Sequence, residues 1–290
     1  MNFLVTLING LSLGGIYAMI ALGYTMVYGI AKMLNFAHGD IIMVGGYTIY
    51  VFMGLTGAPW AAIIAAVVFC VLLGFTVEKV AYRPLRGASP LAVLITAIGV
   101  SYLLQSLAQI IFGSAPKMVN IMELGTLTMG GVRIQVSALL TLGCTVVIMV
   151  GLHLFVKLTK TGRAMLAVSE DRGAAELMGV NVNRIISVTF IIGSALAALA
   201  GLFYLLKAPG LNSTFGSLPG IKAFTAAVIG GIGSIPGAML GGILLGVIEC
   251  FCGSVSAIAP YTDAIEFAIL IVILLVRPTG FLGKKRREKV

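Results

Sequence analysis

Four groups of polar or glycine residues interrupt an otherwise apolar chain, and each offers a distinct chemistry. Asn35, His38 and Asp40 set polar side chains between uncharged runs. At membrane depth such groups face a cavity or a partner and mark pathways. Capping competes on equal terms: Asp40 would cap a helix starting at Ile41, and Asn35 the end of the one before it. With an unperturbed pKa of about 6.5, His38 has the chemistry of a proton relay. No chain of acids leads to it, so a hydrogen-bonded structural histidine is the expectation. The second group, Gly230 to Gly242, holds six glycines and one proline. The pairs Gly237/Gly241 and Gly242/Gly246 suit close helix packing. The break at Gly230, Gly231 and Gly233 bares backbone groups with the chemistry to hold the carboxylate or ammonium of a zwitterion.

Acids form the third group. Asp263 and Glu266 fall in the first turn of a helix opened by Pro260 and Thr262, where they complement the helix dipole. Glu249 sits alone inside an apolar run, either lining a pore or lying near the outer interface. The fourth group is Ser169, Glu170, Asp171, Arg172, Gly173, Ala174, Ala175, Glu176, Leu177, Met178 and Gly179. Ser169 reads as an N-cap, Glu170 and Asp171 complement the positive helix end, and Gly179 suits the position past the C-terminus. Its apolar face is too small to anchor in lipid, so the short helix reads as a docking knob for a soluble partner.

These groups do not converge into a catalytic site. His38 and His153 lie on separate segments with no acid, base and nucleophile constellation, so no catalytic residue is assigned. Cys70, Cys144, Cys250 and Cys252 lack paired spacing or nearby histidines and read as packing residues, with no metal site. A phosphate-binding Gly-x-x-x-x-Gly-Lys-[Ser/Thr] motif is missing, so no cofactor is expected in this chain and any ATP is bound elsewhere.

The elements that must position these residues are helices. Of 290 residues, 59% are hydrophobic and only 10% charged, against about 25% charged in soluble domains. Runs such as Met1 to Ala31 and Ile41 to Val77 carry no charge and exceed the roughly 20 residues that cross a bilayer. Helices are expected at about Phe3–Ile30, Ile41–Met53, Trp60–Val77, Pro90–Phe112, Val136–Val156, Ile185–Leu206, Ile221–Ile235, Gly237–Gly253 and Pro260–Val276. The fold class is therefore an all-α integral membrane protein, a polytopic helical bundle of about eight or nine spans with broken or re-entrant segments. Phe3 to Ile30 reads as a retained span.

The net charge of +9 points to topology, not to nucleic acid. With Lys32, three basic regions hold 15 of the 19 Lys and Arg residues: Lys79 to Arg86, Lys157 to Arg184, and Arg277 with Lys284, Lys285, Arg286, Arg287 and Lys289. Only Lys117, Arg133, Lys207 and Lys222 remain for other loops. The positive-inside rule puts the crowded regions and the C-terminus in the cytoplasm. A transmembrane domain over 1–276, with the loop 157–184 inserted, and a basic tail over 277–290 follow. Parity then requires Ile221–Ile235 to be a short crossing, or another segment to be re-entrant.

Ala174-Ala175, three residues and Gly179 resemble the coupling loop of ABC importer permeases, although Gly173 replaces that pattern's glutamate. More specific is the series Asn9-Gly10, Tyr24 to Gly29, Asn35 to Asp40, Glu78 to Pro84, Lys222 to Val228, Gly230 to Ala238 and Arg277 to Gly280. Together these resemble, from end to end, the branched-chain amino acid ABC permeases, in the shorter form of the permease pair. The resemblance implies a multi-pass protein of a bacterial inner membrane that forms half of a translocation pore. Its implied partners are a second homologous permease, two cytoplasmic ATPases carrying ATP-Mg, and a periplasmic or extracellular amino-acid-binding protein. The substrates would be leucine, isoleucine or valine. The same scaffold serving urea or another amide is an alternative, and so is an ion-coupled secondary carrier. Glu249 and the glycine break are the only features that would serve the carrier.

Overall fold

The computed structural model describes residues 3–122, 124–129 and 132–283. The basic tail from Lys284 onward lies outside the described residues. Eleven α-helices in the described residues follow one another with four short strands. The helix α1 (Phe3–Ala31) ends at Lys32, whose φ of 54° turns the chain. After an irregular stretch come α2 (His38–Thr56) and α3 (Pro59–Val77), the latter continued by a π turn and a 3-10 turn to Leu85. Ser89 caps α4 (Pro90–Phe112) by accepting the Ala92 N–H.

Strands β1 (Lys117–Met118), β2 (Thr126–Met129) and β3 (Val132–Gln135) precede α5 (Val136–Leu158). Strands β2 and β3 form an antiparallel hairpin with Thr126 opposite Gln135. Helices α6 (Lys160–Glu170) and α7 (Arg172–Leu177) lead into α8 (Val182–Lys207) and β4 (Gly210–Leu211), which pairs antiparallel with β1. The chain closes with α9 (Ser217–Gly230), α10 (Ile235–Ser254) and α11 (Thr262–Val276).

Among the described residues, eight helices are long and apolar enough to cross a membrane. The ninth apolar helix, α9, has 14 residues. At 1.5 Å per residue it is about 21 Å long, short of a hydrocarbon core of about 30 Å. The region expected to be a short crossing is therefore broken, and its helix starts earlier and stops at Gly230, not at Ile235. Bundle walls are apolar where water would be untenable: Trp60, Ile64, Leu72, Ile110, Ile271 and Leu275 are all exposed. Such continuous apolar surface belongs against lipid or another subunit.

The centre of the bundle is α1, buried along most of its length from Gly10 to Ala31. Small residues let α10 approach it. A Cβ on Gly14 would stand 2.7 Å from Ile243 Cα, and one on Gly246 or Gly242 would strike the α1 backbone at Gly14 or Ala18. Gly237 and Gly241 meet α9 in the same way, at Gly230 and Ala226. Packing thus accounts for both small-residue pairs. Phe3 meets Phe251 with ring centroids 5.4 Å apart, so α1 and α10 run antiparallel.

The first two basic regions gather at one end. Arg86 hydrogen-bonds Asn183 at the start of α8 and pairs with the buried Glu78, which also accepts from Ser187 at 2.8 Å. Arg172 Nη2 donates to the Ile30 carbonyl at 3.0 Å. Lys222 departs from the expectation that it belongs to a loop: it is 3% exposed, inside α9.

Candidate functional site

Between α5 and α8 the chain makes two helices, not one. Thr159 caps α6 by accepting the Gly162 N–H at 3.0 Å, and the helix runs through Ser169 to Glu170. Ser169 is therefore not the N-cap. Its Oγ donates to the Leu166 carbonyl instead. The cap is Asp171, whose extended backbone breaks the helix and whose carboxylate accepts the Ala174 N–H at 3.1 Å. The far end closes as a Schellman turn: Gly179 N–H bonds Glu176 O at 2.9 Å, Val180 N–H bonds Ala175 O at 3.0 Å, and Gly179 has a φ of +81°.

The small helix α7 thus has fixed ends, and Ala175 seats it at 4% exposure. Leu177 and Met178 project from it at 90% and 84% exposure. Two large apolar side chains that bare at the basic end of the bundle are the mark of a contact surface. Through Arg172 the knob is tied directly to the end of α1. Burial, and secondarily the charge of Arg86, lowers the pKa of the Arg172 guanidinium from its ordinary value.

Asn35, His38 and Asp40 lie where two broken elements meet. No side chain caps α2; its N-cap is Ala37. Asn35 does not cap α1 either, since its Oδ1 accepts the Tyr82 hydroxyl at 2.8 Å. The His38 ring packs on Tyr24 with centroids 4.8 Å apart and interacts with the Ile20 backbone, while Nε2 has no hydrogen-bond partner among the described residues. Gly39 is pressed against Gly216 and Gly220 at the start of α9, closer than any Cβ allows at Gly216. The N-termini of α2 and α9 therefore converge. Asp40, 2% exposed, stands between them and accepts from Gln105 Nε2 at 2.8 Å, while Gln105 also reaches Ser217 at 3.4 Å. Two positive helix ends brought together favour an anion, and Asp40 supplies it from within the chain. Little space is left there for a ligand.

The glycine break is likewise occupied, which corrects the expectation of bare backbone at Gly230 and Gly231. Ile229 O and Gly230 O accept the N–H groups of Phe281 at 2.9 Å and Leu282 at 3.0 Å. A strap from the end of the chain thus takes the carbonyls that α9 leaves open. Gly280, at a φ of +75°, fits because a Cβ there would stand 2.6 Å from Gly231. Gly233 instead borders a cavity of about 400 Å³ shared with Lys32, His153, Lys157 and Glu170.

Glu249 is the one candidate drawn into a cluster that the sequence did not announce. Lys222 Nζ stands 2.7 Å from Asp263, 3.0 Å from Glu249 and 3.3 Å from Glu266. Tyr17 donates to the other oxygen of Glu249 at 2.7 Å. The cluster joins α1, α9, α10 and α11. Its sequence signals were separate, a lysine in the run Lys222 to Val228 and the acids Glu249, Asp263 and Glu266, with nothing to link them. The sequence candidates therefore separate into the knob with the Gly233 cavity, the buried Asp40 junction, and the Lys222 cluster at the end remote from α7.

Comparison with known proteins places this architecture. The sequence profile described as "Branched-chain amino acid transport system / permease component" matches residues 6–274. The high-affinity branched-chain amino acid permease protein BraD of Pseudomonas aeruginosa is 45% identical, over 100% of this chain and 98% of its own. The corresponding LivH protein of Escherichia coli is 41% identical, over 99% and 98%. A shorter stretch, 39% of this chain, is 34% identical to the fructose import permease FrcC of Rhizobium meliloti.

Proposed function

From its membership of the branched-chain amino acid transport permease family, to which this chain belongs by a match along nearly its whole length, we propose how it works as a permease subunit of an ABC importer. It forms one half of a pore with a second, homologous permease in a bacterial inner membrane, with the α6–α7 end and the C-terminus in the cytoplasm. Two ATPase subunits bind and hydrolyse ATP-Mg beneath it, and an external binding protein delivers leucine, isoleucine or valine. This chain contributes no catalytic group.

The observation that carries the reading is the exposure of Leu177 and Met178 on a helix whose two ends are fixed by Asp171 and Gly179. A knob can transmit force only if it does not deform when pushed. Both ends of α7 are hydrogen-bonded, and Arg172 passes displacement to the Ile30 carbonyl of α1. Since α1 packs on α5, α8, α9 and α10, moving its end moves the bundle as a body. Closure of the ATPases around ATP would thereby rock the two permeases between outward-facing and inward-facing states.

The test is whether two ATPase subunits and a second permease purify with this chain, and whether vesicles carrying the complex take up leucine only with ATP and the binding protein. Replacing Leu177 and Met178 together by Asp should abolish ATPase association with membrane insertion unchanged. Gradient-driven uptake by this chain alone would overturn the reading and leave α7 without a role.

A further inference from the structure

We propose that the Lys222 cluster recognises the α-ammonium of the amino acid in transit, with the apolar side chain held in a neighbouring cavity; the proposal rests on the importer reading above. Three carboxylates surround one buried ammonium. Lys222 Nζ stands within 3.3 Å of one oxygen each of Asp263, Glu249 and Glu266. One ammonium thus faces three carboxyl groups. Glu266 is 1% exposed, and neither of its oxygens has a hydrogen-bond partner among the described residues. At 3.3 Å from Lys222 it gains attraction but no such bond. A buried carboxylate in this condition favours a further cationic donor nearby.

Space for a cation opens beside two of the cluster's carboxylates, Glu249 and Asp263, with Glu266 buried behind them. A cavity of about 430 Å³ is lined by Glu249 and Asp263 together with Asn9 and Lys207. Acidic acceptors and basic or amide donors lining one cavity match the two ends of a zwitterion. A second cavity, of about 170 Å³, shares Asn9, Lys207 and Cys250 with the first and continues into apolar walls at Ile16 and Phe203. A cavity of about 150 Å³ holds benzene, so a four-carbon side chain fits. An inorganic cation would leave both Lys207 and the apolar cavity without a purpose, and the carboxylates are not grouped at metal-ligand spacing among the described residues. The site lies at the end remote from α7, where the importer reading places substrate entry.

Cys250 borders both cavities as a free, half-buried thiol and reports on their occupancy. In membrane vesicles carrying the assembled importer, with Cys70, Cys144 and Cys252 replaced by Ala, the rate of Cys250 modification by N-ethylmaleimide is measured. Leucine at saturating concentration should slow it several-fold. Isocaproate, which keeps the carbon skeleton and lacks the ammonium, should not, and neither should sodium in place of choline. Asp263→Asn, at a position 54% exposed and so tolerant of substitution, should remove the protection while the complex still purifies intact. Equal protection by isocaproate, protection by sodium, or none by leucine would each overturn the proposal. ATP-driven leucine uptake by the same vesicles separates the two levels: uptake without protection sinks this site alone, whereas absent uptake sinks the importer reading.

Discussion

Replacing Lys222 by Met asks how much one buried cation holds together. Its partners differ sharply in exposure: Glu266 is 1% exposed, Glu249 24% and Asp263 54%. Asp263 keeps its water, so its pair with Lys222 is worth about 1 kcal/mol or less, as at a surface. The Lys222–Glu266 pair is different. At 3.3 Å and an effective dielectric of about 20, the attraction is about 5 kcal/mol before desolvation. Removing one partner of such a buried pair costs about 3–5 kcal/mol, because the other charge is stranded. At about 2–4 °C per kcal/mol, the melting temperature of the detergent-solubilised complex should fall by roughly 10 °C. Heating followed by size-exclusion chromatography measures this. The decisive variant adds Glu266→Gln, which deletes the stranded charge. It should recover at least half of the loss, since replacing both members of a buried pair is often neutral. The argument fails if Lys222→Met melts within about 2 °C of the parent protein, or if the second substitution lowers stability further.

Two further expectations concern the basic end. Asp171→Ala removes the cap of α7 and should cost about 0.5–2 kcal/mol locally, read as less ATPase retained on the purified complex with the melting temperature of the bundle unchanged; Asp171→Asn should restore it. Gly280→Val meets both a left-handed φ of +75° and the Gly231 backbone, and should free the strap, exposing the 277–283 segment to protease with intact helices by circular dichroism.

The spans were legible because their signal is local: a run of uncharged apolar residues is itself the reason that a helix forms in lipid. Accordingly α4, expected and found at Pro90–Phe112, required nothing from elsewhere in the chain. Gly179 was legible for the same kind of reason, since a left-handed helix end suits glycine whatever surrounds it. Ser169 misled because serine and aspartate two residues apart are both good caps. The choice went to Asp171, where the chain turns extended between α6 and α7.

Partners distant in sequence were beyond local reading. Asp40 and Gln105 are 65 residues apart, and Tyr17 and Glu249 are 232 apart. No spacing rule links them, and Lys222 looked like a loop cation because a charge in an apolar run is affordable only beside partners not yet visible. The same applies to the glycine break, whose carbonyls are open within α9 itself and closed by Phe281 and Leu282. By itself the sequence determined the helices, their basic end and a short helix within Ser169–Gly179 that ends at Gly179, because hydrophobicity, charge and capping act over a few residues. Tertiary structure alone decided which buried charges are paired and which backbone groups are free, because in a medium without water every polar group must find its partner elsewhere in the protein.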